Sequence, residues 1–146
     1  MGFERHHYRE RRFVWTRITG SLCDEDLREQ VSALNEECAG VVGLRELGDC
    51  REITDLRRTT VNGTTAIAAT ETVKPGSRFA ILTPADSPLI FGMARAYQSF
   101  ALAKRDAVHI FHDLNEALAW LAEDDKDLNA LKAFITAIQN KHAAEL

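Results

Sequence analysis

Apolar residues along this chain recur with two periods, and the alternation between them predicts the order of elements. In "RRFVWTRITG" Phe13 and Trp15 fall on one face and Val14 and Ile18 on the other, the pattern of a strand covered on both sides. The segment "FERHHYRE" just upstream is placed to pair with it as a hairpin. "DEDLREQVSALNEECAG" sets Leu27, Val31, Leu34 and Cys38 at helical spacing behind an acidic first turn, with Gly40 suited to the C-terminal cap. "VGLRELGDC" reads as a strand with an unusual load of charge. The stretch after it, "REITDLRRTTVNGTTAIAATETVKPG", reads as a loop, a short helix near residues 64–73, and a turn at Pro75 and Gly76.

The second half is more regular. "RFAILT" is a continuous apolar run of strand length, suited to the middle of a parallel sheet with helices on both faces. Pro84 ends it. Ser87 can cap the next helix, whose first position tolerates Pro88 because no donor is needed there. "AVHIFH" predicts another strand, and Asp113 with Glu116 resembles a capping box ahead of the helix "LNEALAWL". Leu128, Leu131, Phe134, Ile135 and Ile138 form one stripe on a terminal helix over about residues 126–142. Strands alternating with helices imply right-handed crossovers. The predicted fold class is therefore α/β, with a mixed, mostly parallel sheet of four or five strands flanked by helices. The predicted domain spans residues 1–122, and a helical extension over 123–146 packs on it or on a partner.

Composition narrows the function classes. A chain of 146 residues with 45% hydrophobic and 27% charged residues is long enough to bury one core without disulfides or metals. Its net charge of −4 opposes diffuse attraction to nucleic acid, and Glu4 and Glu10 interrupt the basic cluster of Arg5, Arg9, Arg11 and Arg12. Cys23, Cys38 and Cys50 are odd in number and lack C-x-x-C spacing, which points away from a disulfide framework and a zinc site and towards a cytoplasmic location. No apolar leader or membrane span is expected, and His6 stands where a myristoylation pattern needs Ser or Thr.

Candidate chemistry is sparse. Nucleotide-cradling glycine motifs, G-x-S-x-G and H-E-x-x-H are missing, so neither a catalytic residue nor a cofactor is assigned. His109 and His112, three apart on a strand, point to opposite faces, as do His6 and His7; no metal site is expected. Asp49, Asp55, Asp86 and Asp113 lie near strand ends, where an α/β crevice forms, but Asp is also the default cap and turn residue. Thr59, Thr60 and Ser87 are candidate phosphoacceptors, although short hydroxyl residues at such positions are ordinarily caps. In the helix from Pro88, Tyr97 belongs to the face turned to the sheet, whereas Leu89 and Phe91 are surplus apolar residues beside the loop "PADSP".

"FAILTPADSPLIFGMARAYQSF" followed by "VHIFHDLNEALAWL" resembles the SpoIIAA-like family, a branch of the bacterial STAS-type α/β domains. The resemblance is close over residues 78–121 and looser over 13–49. It implies a mixed sheet backed by helices, and a relation in shape to CRAL-TRIO lipid-binding domains. The Asp-Ser and Ser-Gly-Leu switch of classical anti-sigma-factor antagonists has no counterpart in "DCREITDLRRTTVNG", so Thr59 and Thr60 are the nearest substitutes. The expectation is a non-enzymatic module that binds a protein partner or a second copy of itself. The runner-up is a small apolar, lipid-like ligand held near Thr83, Pro84, Asp86, Ser87, Leu89, Phe91 and Tyr97, and an enzyme ranks third.

Overall fold

The computed structural model describes residues 2–73, 76–102 and 104–145. Five strands form one sheet in the order β1-β2-β3-β4-β5: β1 (Gly2–Tyr8), β2 (Phe13–Cys23), β3 (Arg45–Arg58), β4 (Arg78–Leu82) and β5 (Ala107–Phe111). β1 is antiparallel to β2, and every later pair is parallel. Three helices, α1 (Asp24–Glu37), α2 (Val61–Ala68) and α3 (Pro88–Ala101), cover one face. The other face is covered by α4 (Leu114–Leu121) and α5 (Asp125–Glu145).

The two-sided burial read in the sequence is visible strand by strand. Phe79 and Ile81 enter the core under α1–α3, whereas Ala80 and Leu82 enter the core under α4 and α5; all four are buried. Phe13 and Trp15 lie on the α4–α5 side and Ile18 on the other. The stripe on α5 covers the chain's own sheet: Leu131 and Ile135 are buried there, and Phe134 stacks on Tyr8 at 4.9 Å. Asp127 fixes the start of α5 by accepting from Arg45, Arg11 and the Glu123 amide.

Two local expectations shift. The stretch read as a loop after Cys50 continues β3 to Arg58, because β2 extends alongside it to Cys23. The pairing slips at three places, so the ten-residue step from Phe13 to Cys23 is matched by the thirteen-residue step from Arg45 to Arg58. Each slip inserts residues on β3, and the buried Ile53 and Leu56 end up three apart, which hides the strand's period of two. Gly20, at φ 82°, sits at one of these slips. The short helix starts at Val61 rather than Thr64, because Thr60 accepts from the Gly63 amide and caps it. Of the expected turn at Pro75 and Gly76, Pro75 lies outside the described residues; Gly76 has φ 84°.

Candidate functional site

A cavity of about 70 Å3 lies between the sheet and the helices α1, α2 and α3. Strand alternation builds its floor: Glu46, Gly48 and Cys50 of β3 point the same way, beside Phe79 and Ile81 of β4. Ile90, Met93, Ala94 and Tyr97 of α3 form the roof at helical spacing, and Leu27 and Gln30 of α1 form a side wall. The lining is mostly apolar. Gly48 is required where it stands, since a Cβ there would lie 2.6 Å from the Phe79 ring.

One end of the cavity is polar. Arg105, fully buried, donates through Nη2 to Glu46 Oε1 at 2.6 Å and through Nε to Glu71 Oε1 at 2.6 Å. The Tyr97 hydroxyl donates to Glu71 Oε2, and the Thr16 hydroxyl donates to Glu46 Oε2 at 2.8 Å. Arg5 then reaches Thr16 Oγ1 at 3.3 Å. The Phe79 ring screens this network, with the Arg105 guanidinium 4.4 Å from its centroid and the Tyr97 ring edge-on to it.

Electrostatics fix the protonation states of the donors. Burial alone would lower the pKa of Arg105, but Glu46 and Glu71 outweigh it and raise the guanidinium above its ordinary value. Burial, reinforced by Glu71, holds the Tyr97 hydroxyl well above its ordinary value, so it remains a donor. Burial pushes the Cys50 thiol up to about 12, with Asp49 and Glu46 adding to the shift, and a thiol so protonated is a poor nucleophile. Gln30 is buried, and its Oε1 has no hydrogen-bond partner among the described residues. Each carboxylate oxygen of Glu46 and Glu71 already accepts one hydrogen bond. Arg105 Nη1 is also buried without a partner among the described residues, but Arg105 does not line the cavity, and the unpartnered side-chain group on its wall is the Gln30 oxygen, an acceptor. The arrangement can hold a donor group attached to an apolar body.

Among the residues singled out in the sequence, Tyr97 lines this cavity, while Thr83, Pro84, Asp86, Ser87, Leu89 and Phe91 lie outside its wall. Thr83 is buried at the end of β4, where its hydroxyl meets His112 Nδ1 at 3.0 Å. Ser87 caps α3 by accepting from the Ile90 amide at 3.3 Å. Leu89 is 64% exposed, and Phe91 leans towards His112 with ring centroids 5.7 Å apart. Thr59 is buried and donates to the Leu22 carbonyl, and Thr60 donates to Asp24 while capping α2. The four aspartates have separate tasks. Asp49 holds Trp15 Nε1 and Arg51, Asp55 holds Ser21 and Arg57, and Asp113 caps α4, whereas Asp86 is exposed.

Sequence reasoning missed Glu46, Glu71 and Arg105. The signal was the charge load of "VGLRELGDC", a strand that turns out to be central and buried. Charges on a central strand must be paired, and Arg45 and Glu46 find their partners in Asp127 and Arg105, far along the chain.

No family model matches the chain, and no curated protein matches it. Among solved structures, an uncharacterized protein from the DUF3478 family with a SpoIIAA-like fold, from Shewanella loihica PV-4, superposes with a TM-score of 0.54 at 18% sequence identity. The match covers 83% of this chain and 93% of that one. The chain has a SpoIIAA-like α/β fold, as the resemblance in residues 78–121 implied. No helix among the described residues is long and apolar enough to cross a membrane.

Proposed function

We propose that this chain is a non-enzymatic binding module that takes a compact, mostly apolar ligand carrying a hydrogen-bond donor, such as a short-chain amine or alcohol, into the cavity beneath α1, α2 and α3. The cavity itself carries the reading. Native interiors leave few voids larger than a water molecule, yet here about 70 Å3 is open beside the unpartnered Gln30 oxygen and the Glu46–Arg105–Glu71 network. Its size selects the ligand. It is about half of the ~150 Å3 that accommodates benzene, so only a few heavy atoms enter the space as it stands. A branched four-carbon amine, about as bulky as benzene, enters with an outward shift of the α3 side chains, and a lipid chain would have to displace α3. Binding rather than catalysis is supported by the protonated Cys50 and by carboxyls already committed to Arg105.

The test is a methyl-detected NMR titration of the full chain with isobutylamine and, separately, isobutyrate. Saturable shifts at Ile53, Ile90 and Met93 with the amine and none with the acid are expected. Absence of saturable shifts with the amine at those residues, or an equal response to the acid, overturns the reading.

A second reading has its own observation. Among the described residues, six large hydrophobics are exposed, and four of them, Leu89, Phe91, Phe100 and Leu102, sit on α3 or its C-terminal cap. They fall on two flanks of the helix, Leu89 with Phe100 and Phe91 with Leu102, on either side of the buried stripe. The Phe91–Leu102 flank is suited to a second copy of this chain.

A further inference from the structure

The antiparallel pass of α5 over β1 gathers three ligand-type side chains that lie far apart in sequence. Glu4, His6 and Tyr8 share one face of β1, as alternate strand residues must. Phe134 of α5 stacks on Tyr8, and eight residues further along the helix, about 12 Å on, His142 arrives over His6 and Glu4. His6 Nε2 lies 3.3 Å and His142 Nε2 lies 3.9 Å from Glu4 Oε2, and the three atoms all lie within 4.8 Å of one another.

We propose that Glu4, His6 and His142 form a binding site for a divalent transition metal, zinc above all, that ties the last turns of α5 to β1. Two imidazole nitrogens and one carboxylate are a zinc donor set that leaves a fourth position for water. Ligand atoms around tetrahedral zinc stand about 3.3–3.4 Å apart, so the Glu4–His6 distance already fits, and the partly exposed His142 side chain has about half an ångström to close on Glu4 and at most about 1.4 Å on His6. The ring of His6 rests against Trp15 at 5.5 Å, and Arg17 approaches the same Glu4 oxygen at 3.4 Å while holding Glu52 through Nη2 at 3.1 Å. These neighbours orient the imidazole and the carboxylate. Arg17 keeps Glu52 as its counter-ion when Glu4 turns to the metal.

The site stands apart from the cavity, on the opposite face of the sheet. Isothermal titration of the tag-free chain with zinc chloride in a non-chelating buffer tests it. One equivalent is expected to bind, and His142→Gln and Glu4→Gln are each expected to weaken binding at least about tenfold. Both residues are partly exposed, so the variants keep the metal-free melting temperature of the parent chain. Cobalt(II) should give the visible absorption bands of a four-coordinate nitrogen–oxygen site in the parent and lose them in both variants. No saturable binding near one equivalent, affinity unchanged in both variants, or binding abolished by cysteine alkylation instead would each overturn the proposal.

Discussion

Filling the cavity separates a ligand site from a packing defect. Ala94 lines the roof, and Ala94→Leu directs three further carbons into the space without a serious helix-propensity cost. At about 24 cal/mol per Å3 of void, a cavity of about 70 Å3 leaves about 1.7 kcal/mol to be recovered by a side chain that occupies it. For a chain of this length that corresponds to a rise in melting temperature of about 5 °C. The assays are urea unfolding, thermal melting, and the isobutylamine titration repeated on the variant. Higher stability together with loss of isobutylamine binding is expected, because leucine takes the place the ligand would occupy. Destabilisation by more than about 1 kcal/mol would show overpacking and refute the described space. Unaltered isobutylamine binding in a stabilised variant would put the ligand elsewhere.

Two further expectations follow from the other face and from α3. Asp127 is held at about 2, below the ordinary 3.8, because hydrogen bonds from Arg45, the Glu123 amide and Arg11 outweigh a burial effect that pushes the other way. Its folded value lies below its unfolded one, so its stabilisation, about 2 kcal/mol, is complete above about pH 5 and lost as pH falls through 2. Asp127→Asn should flatten that acid limb in urea unfolding at pH 7, 4 and 2.5, and an equally steep acid limb in the variant would exclude this origin. For the Phe91–Leu102 flank of α3, light scattering at tens of micromolar should find a dimer that Phe91→Glu weakens without lowering the melting temperature; a monodisperse parent monomer discards self-association.

The fold was legible where local rules and tertiary packing agree. "RFAILT" suited a strand buried on both faces, and Ser87-Pro88 suited a helix start, because each signal lies within a few residues and needs no distant partner. The latter half of β3 was not legible. Its register slips against β2 place Ile53 and Leu56 at a spacing that no strand period produces. The candidate site was less legible still. Tyr97 was marked by its helix face, whereas nothing local singled out Glu46 and Glu71 as a pair, because Arg105, which joins them, lies 59 and 34 residues away.

The sequence by itself determined the element order, the two-sided burial of the sheet, and the caps, since these follow from side-chain periodicity and backbone donors along a few residues. Only the tertiary structure decided what faces what: the network at the cavity's end, the outward turn of Leu89 and Phe91, and the meeting of Glu4 and His6 with His142. The physical reason is range. Periodicity and capping act within one or two turns, but a buried charge or a three-residue ligand set is specified by where crossovers and a returning helix deliver distant segments of the chain.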